Sequence, residues 1–221
     1  MKNTIFTAFA LLIVLRLIWI LPWRRYFHNN YRNDALPLKN KKKKKLMIVL
    51  GSGGHTKEML ALLNEIDLSR FNKRVYVIGA TDSLSEGKAE AFENDHFAKA
   101  QSYKVVRIPR SREVLQGALS AIFPTVKSIL ASICVVFRYR PEIILCNGPG
   151  TCFPICVAAF VLKFFWNSRI KVVFVESYCR VTTLSTTGKL LYYLPLSDGF
   201  VVQWPSLLEK YSQADYLGRV V

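Results

Sequence analysis

Acidic residues are scarce in this 221-residue chain: fifteen stand against thirty-one lysines and arginines, for a formal net charge of +16. The shortage is worst at the start, where residues 1–45 hold eleven basic residues and Asp34 as their one acid. The imbalance points to a partner for that segment rather than for the whole chain. Cysteine is sparse too. Cys134, Cys146, Cys152, Cys156 and Cys179 form no CxxC pair and no metal-ligand spacing. Such an odd set, lying in or beside apolar runs, argues against a disulfide framework and a metal site, and reads as thiols serving as small hydrophobes. No Asn-x-Ser/Thr sequon occurs either. These absences favour a cytosolic setting for the body of the chain.

What is present begins with a long apolar run, residues 5–23 (IFTAFALLIVLRLIWILPW). As a helix it is about 28 Å long, close to the hydrocarbon thickness of a bilayer. Trp19 and Trp23 stand where an aromatic belt would form. Arg16 is the flaw; a central arginine costs about 2.5–3.5 kcal/mol on insertion scales, and near the end of a span its head can snorkel to the interface. A cleaved signal peptide needs a shorter apolar core and a small-residue cleavage site, and neither is found here. Residues 1–23 therefore read as one transmembrane anchor. Basic residues crowd the downstream side, Arg24, Arg25, Arg32, Lys39 and the run 41–45, which places the chain beyond the anchor in the cytosol. Residues 24–45 form a basic juxtamembrane linker. Its lysine run suits anionic headgroups or plain solvation; no aromatics interleave it as nucleic-acid binding would need.

From residue 46 short β-branched runs alternate with longer helical stretches, the pattern of an α/β, Rossmann-like doubly wound parallel sheet. Strands are predicted at 46–50, 75–79, 103–108, 143–146, 172–175 and 199–203, and helices at 57–66 and 84–100. Two further helical stretches, 114–137 and 152–166, are strongly apolar. Core packing against the sheet is the default for both, and partial burial in the membrane interface is the alternative. The domain spans 46–204, leaving 205–221 as a tail with no further strand–helix unit.

Ligands of doubly wound sheets bind beyond the carboxyl ends of the strands, which turns the strand register into a candidate site. Residues 51–56 (GSGGHT) join a strand to a helix N-terminus, where glycines let the backbone approach a phosphate and first-turn N–H groups complete an anion site. The loop lacks the third glycine of a dinucleotide fingerprint and the lysine of a Walker loop. A diphosphate cradle of Gly51, Ser52, Gly53, Gly54, His55 and Thr56 remains. His55 can hydrogen-bond the diphosphate, deprotonate a sugar hydroxyl or cap the helix. Glu176 ends the strand VVFVE, where a carboxylate must bond something: a sugar hydroxyl, a proton in transit, or a cation such as Arg180. Asn147, Gly148, Gly150 and Thr151 (NGPGT), with Ser177, complete the cleft.

The strand–GSGGHT–helix unit followed by LCNGPGT, VFVESYCR and FVVQW resembles one family over nearly the whole chain. It is the membrane-anchoring subunit of the transferase adding the second N-acetylglucosamine of the dolichol pathway, the asparagine-linked glycosylation protein fourteen family. The resemblance implies a fold like the N-terminal half of a GT-B glycosyltransferase. It implies an acceptor, dolichyl-diphosphate-N-acetylglucosamine, held by this chain, with His55 and Glu176 as candidate catalytic groups. UDP-N-acetylglucosamine, the donor, would be bound mainly by a soluble catalytic partner, with no cofactor or metal on this chain. Tyr216, Leu217, Val220 and Val221 would grip that partner, at the cytosolic face of the endoplasmic reticulum membrane. Two readings compete: a free-standing nucleotide-dependent oxidoreductase, and a recruitment scaffold with no acceptor site.

Overall fold

The computed structural model describes residues 10–17, 44–97, 102–111, 120–148, 150–166, 169–194 and 196–219. Residues 10–17 are helical; the rest of the expected anchor, and the linker up to residue 43, lie outside the described residues. Seven strands follow: β1 (Lys44–Val49), β2 (Phe71–Gly79), β3 (Ser102–Ile108), β4 (Ile143–Asn147), β5 (Lys171–Val175), β6 (Gly199–Val202) and β7 (Asp215–Tyr216). They form one sheet ordered β3-β2-β1-β4-β5-β6-β7, parallel throughout. Six helices connect them: α1 (Gly54–Asn64), α2 (Ser83–His96), α3 (Ile122–Tyr139), α4 (Cys152–Trp166), α5 (Thr186–Tyr193) and α6 (Ser206–Lys210).

The central strands are buried on both faces, which is why they read as unbroken apolar runs rather than as alternation. Leu46, Ile48 and Leu50 pack with Met59, Leu62 and Leu63 of α1 and Phe92 of α2. Met47 and Val49 point the other way, into a core shared with Val136 of α3, Ile155 and Leu162 of α4, Leu191 of α5 and Leu207 of α6. Three of the five cysteines, Cys146, Cys152 and Cys156, are buried in this second core as free thiols.

Three expectations change. Strand β1 starts at Lys44, inside the expected linker, because its backbone pairs with β2 and the Lys45 carbonyl accepts from Glu142 N–H at 3.0 Å. The tail does carry a further helix and strand: α6 and β7 form because Leu207, Tyr211 and Ala214 bury against the core. Helix α3 is not a core helix. It buries only Ser128, Ser132 and Val136, a single i, i+4, i+8 stripe, and turns Ile122, Phe123, Val126, Leu130 and Phe137 outward. Among the described residues α3 alone is long and apolar enough to cross a membrane. Its buried stripe nonetheless ties it to the domain, with Val136 in the core beneath the sheet.

Candidate functional site

The strand order reverses direction between β1 and β4, and at such a switch point the loops leaving the two strands diverge to open a crevice. A cavity of about 890 Å³ opens there, lined by residues from the ends of β1, β2, β3, β4 and β5. Beneath it lies the N-terminus of α1. Gly53, at φ +67°, makes the turn into that helix, a conformation that only glycine adopts freely. Among the described residues no side chain caps α1 and no acid lies in its first turn, which leaves its leading N–H groups open toward the crevice.

Four polar side chains run across the floor. The Ser177 hydroxyl, from the end of β5, donates to Glu58 Oε1 at 2.8 Å. Glu58 Oε2 stands 3.9 Å from His55 Nδ1, one turn earlier on α1. That same nitrogen is 3.4 Å from Asn147 Oδ1 at the end of β4. The ring therefore directs Nδ1 toward two acceptors, while Nε2 forms no hydrogen bond among the described residues. The facing Glu58 carboxylate raises the His55 pKa above the usual imidazole value, and burial opposes this only in part. Burial pushes Glu58 up, but its contacts with His55 and Ser177 more than offset that and hold it low. Glu58 Oε2, Asn147 Nδ2 and Thr151 Oγ1 are buried polar atoms with no hydrogen-bond partner among the described residues.

The expected site residues divide into those that face the cavity and those that shape it. Gly51, Ser52, Gly54, His55, Gly148, Gly150, Thr151 and Ser177 line it. Thr56 does not: it is fully buried, and its hydroxyl donates back to the Gly51 carbonyl and meets Ser85 Oγ at 2.6 Å. Asn147 is buried behind His55. Glu176 is also fully buried. Its Oε1 accepts from Ser177 N–H at 2.9 Å, and its Oε2 from Ser185 N–H at 2.9 Å and the Ser185 hydroxyl at 3.1 Å. Burial raises its pKa, and the Ser177 and Ser185 donors pull the other way. Ser185 caps α5, so this carboxylate moors the start of a helix rather than facing a ligand.

Sequence reasoning missed Glu58 and did not single out Arg110. Glu58 sits three residues after His55 at a helix start, a spacing that puts both on one face. Arg110 and Arg180 both line the cavity; the sequence offered Arg180 only as a cation for Glu176, and in a chain so rich in base nothing marked Arg110. Asp82 lines the cavity as well, but its carboxylate caps α2, accepting from Ser85 N–H at 3.1 Å and the Ser85 hydroxyl at 2.7 Å. Of the expected partner-binding residues, Tyr216 lies in the edge strand β7 and Leu217 just beyond it is exposed. Val220 and Val221 lie outside the described residues.

An uncapped helix start at the switch point of a seven-stranded parallel sheet defines a single Rossmann-type lobe, and the solved structures that share its fold make it GT-B-like. MurG of Acinetobacter baumannii shares the fold, with a TM-score of 0.52 at 15% identity over 74% of this chain and 42% of that one. So does the UDP-GlcNAc 2-epimerase of Neisseria meningitidis, with a TM-score of 0.51 at 18% identity over 80% of this chain and 47% of that one. This chain thus spans less than half of either structure. The family model described as oligosaccharide biosynthesis protein Alg14 like matches residues 46–220, and the chain belongs to that family. A Rattus norvegicus relative, 48% identical over 80% of this chain and 82% of its own length, is named UDP-N-acetylglucosamine transferase subunit ALG14. A relative of the same name from Yarrowia lipolytica is 38% identical over 97% of this chain and 96% of its own length. The chain is therefore a glycosyltransferase subunit.

Proposed function

We propose that this chain is the membrane-anchored, acceptor-binding half of a two-chain transferase. The complex moves N-acetylglucosamine from UDP-N-acetylglucosamine to dolichyl-diphosphate-N-acetylglucosamine at the cytosolic face of the endoplasmic reticulum membrane. A soluble catalytic subunit binds the donor, and this chain recruits it. One observation carries the reading: the α1 N-terminus, His55, Arg110 and Arg180 converge on one cavity. Helix N–H groups and guanidinium forks are the donors a diphosphate takes. His55, held toward its imidazolium by Glu58, adds a third positive group through Nε2. Thr151, whose hydroxyl has no partner among the described residues, lines the same cavity, where a sugar hydroxyl could match it.

An oxidoreductase fits less well. The acid that would hold a ribose after β2 is Asp82, and both of its oxygens already accept from Ser85. A bare scaffold needs no convergence of cations on a cavity. The test is reconstitution. Purified chain alone transfers no sugar, and the soluble partner restores transfer to the lipid-linked acceptor. Arg110→Ala and Arg180→Ala each raise KM for that acceptor about ten-fold or more, the worth of a charged hydrogen bond, with KM for UDP-N-acetylglucosamine unchanged. Sugar transfer by the chain alone refutes the half-enzyme, and unchanged acceptor KM in both variants refutes the acceptor site.

A further inference from the structure

Residues 10–17 form a helix that exposes Leu11, Leu12, Val14 and Leu15 and half-buries Ile13, Arg16 and Leu17. The arginine is turned toward the domain. Its Nε donates to the Phe164 carbonyl at 3.0 Å and its Nη2 to the Lys163 carbonyl at 3.1 Å. Both carbonyls belong to the last turn of α4, where backbone acceptors lack helical partners and the negative end of the helix dipole lies. A guanidinium suits that end in both charge and donor number.

Beside this contact lie exposed aromatics. Phe137, from the end of α3, meets Trp166 edge-on at 5.6 Å, and Phe165 meets Trp166 at 6.1 Å. Phe165 and Trp166 are 68% and 62% exposed, so they are not core residues. From Phe137 the outward stripe of α3 runs back through Leu130, Val126 and Phe123 to the start of the helix, and Ala121 and Thr125, inward at that same start, line the cavity.

We propose that Arg16 is a clamp within the membrane. It holds the anchor against the end of α4 and so sinks the α3–α4 edge of the domain into the hydrocarbon. This rests on reading residues 5–23 as the anchor. On that reading Arg16, seven residues before Trp23 in sequence, would stand about 10 Å inside the interface. An arginine at that depth either snorkels out or finds acceptors where it is, and its acceptors are on α4. The α4 terminus therefore shares the arginine's depth, and Phe165 and Trp166 meet lipid. Bilayer hydrocarbon is the occupant because Arg16 ties the leucine-faced helix of the anchor to the α4 terminus that exposes Phe165 and Trp166. The cavity mouth then opens at the membrane surface, where a lipid-linked ligand arrives without leaving the bilayer. Arg16 acts as a positioning residue.

The test uses the full chain with its soluble partner in phosphatidylcholine vesicles. Cys134 and Cys179, the exposed thiols, are replaced by serine, and a nitroxide is attached at Phe165→Cys. Collisions with oxygen should exceed those with a water-soluble nickel chelate. Arg16→Leu should stay resistant to alkaline extraction yet admit nickel to the label. It should also raise KM for the lipid-linked acceptor several-fold, leaving that for the sugar nucleotide unchanged. Arg16→Lys, which can still donate to the same carbonyls, should recover part of the depth. A nickel-accessible label in the Arg16 protein, or an Arg16→Leu label at unaltered depth, overturns the clamp. Release of the Arg16 protein by alkali instead overturns the anchor on which the clamp rests, and leaves the acceptor site untouched.

Discussion

His55 shows how one neighbour decides what a residue can do. A ring near pH 7 can serve as acid, base or cation, and here Glu58 raises its pKa and so favours the cation. If the imidazolium contacts the diphosphate, kcat/KM for the acceptor falls as pH rises through a value above about 6.5. In Glu58→Gln that falling limb moves to lower pH, because the main raising influence is gone; pH–rate profiles of both proteins measure this. A limb that rises with pH would make His55 a base and sink the cationic role. Linkage gives the matching stability sign: the raised His55 stabilises the fold below about pH 6.5 and loses that contribution as pH climbs through its folded pKa. Glu176 belongs to the same scale with a different outcome. Its oxygens are taken by the chain itself, so Glu176→Gln should lower stability by about 1.5–3 kcal/mol, the loss from one charged acceptor. Urea unfolding reads that loss, and a full loss of transfer with the urea midpoint unchanged would restore Glu176 to catalysis.

At the scale of elements, turns set the site more than helices do. Gly148 follows β4 at φ +65°, and a Cβ there would lie 2.5 Å from His55 Cε1 and 2.7 Å from Nδ1. Both the backbone sign and the space demand glycine. Gly148→Ala should cost about 1–2 kcal/mol for the left-handed backbone alone and push the imidazole off Asn147. Thermal unfolding and acceptor KM together test this; a variant that keeps wild-type acceptor KM would remove the turn from the site. Helix α3 carries the opposite lesson. Its buried stripe is two serines and a valine, and its apolar bulk faces away from the protein. Hydrophobicity marked the segment as helical but did not say which side was wet.

At the scale of the whole molecule this chain is one lobe, covering under half of the two structures whose fold it shares. The soluble subunit proposed above must meet this lobe somewhere, and β7 is an edge strand of the sheet. Leu217 is 70% exposed there, beyond the last strand pair. Deleting residues 217–221 should abolish capture of the soluble subunit while moving Tm by less than about 2 °C, as for a surface change away from the core. Retained capture, measured by co-purification, would place the partner elsewhere.

Six of the seven strands, the crevice and the glycine-lined rim were legible in the sequence, because a sheet buried on both faces writes continuous apolar runs and phosphate loops need glycine at fixed places. Family membership followed from four motifs in order. Helices α5 and α6 and strand β7 were not legible, since three short elements stabilised by tertiary burial leave little local pattern. Nor could the sequence say that Glu58 meets His55 and Ser177, that Glu176 turns inward to hold Ser185, or that Arg16 reaches α4. Those are contacts between residues distant along the chain, except for the helical pair, and only closure of the sheet brings them within a few ångströms. Local pattern determined the longer elements and where the crevice opens; the geometry of packing decided which polar atoms face it.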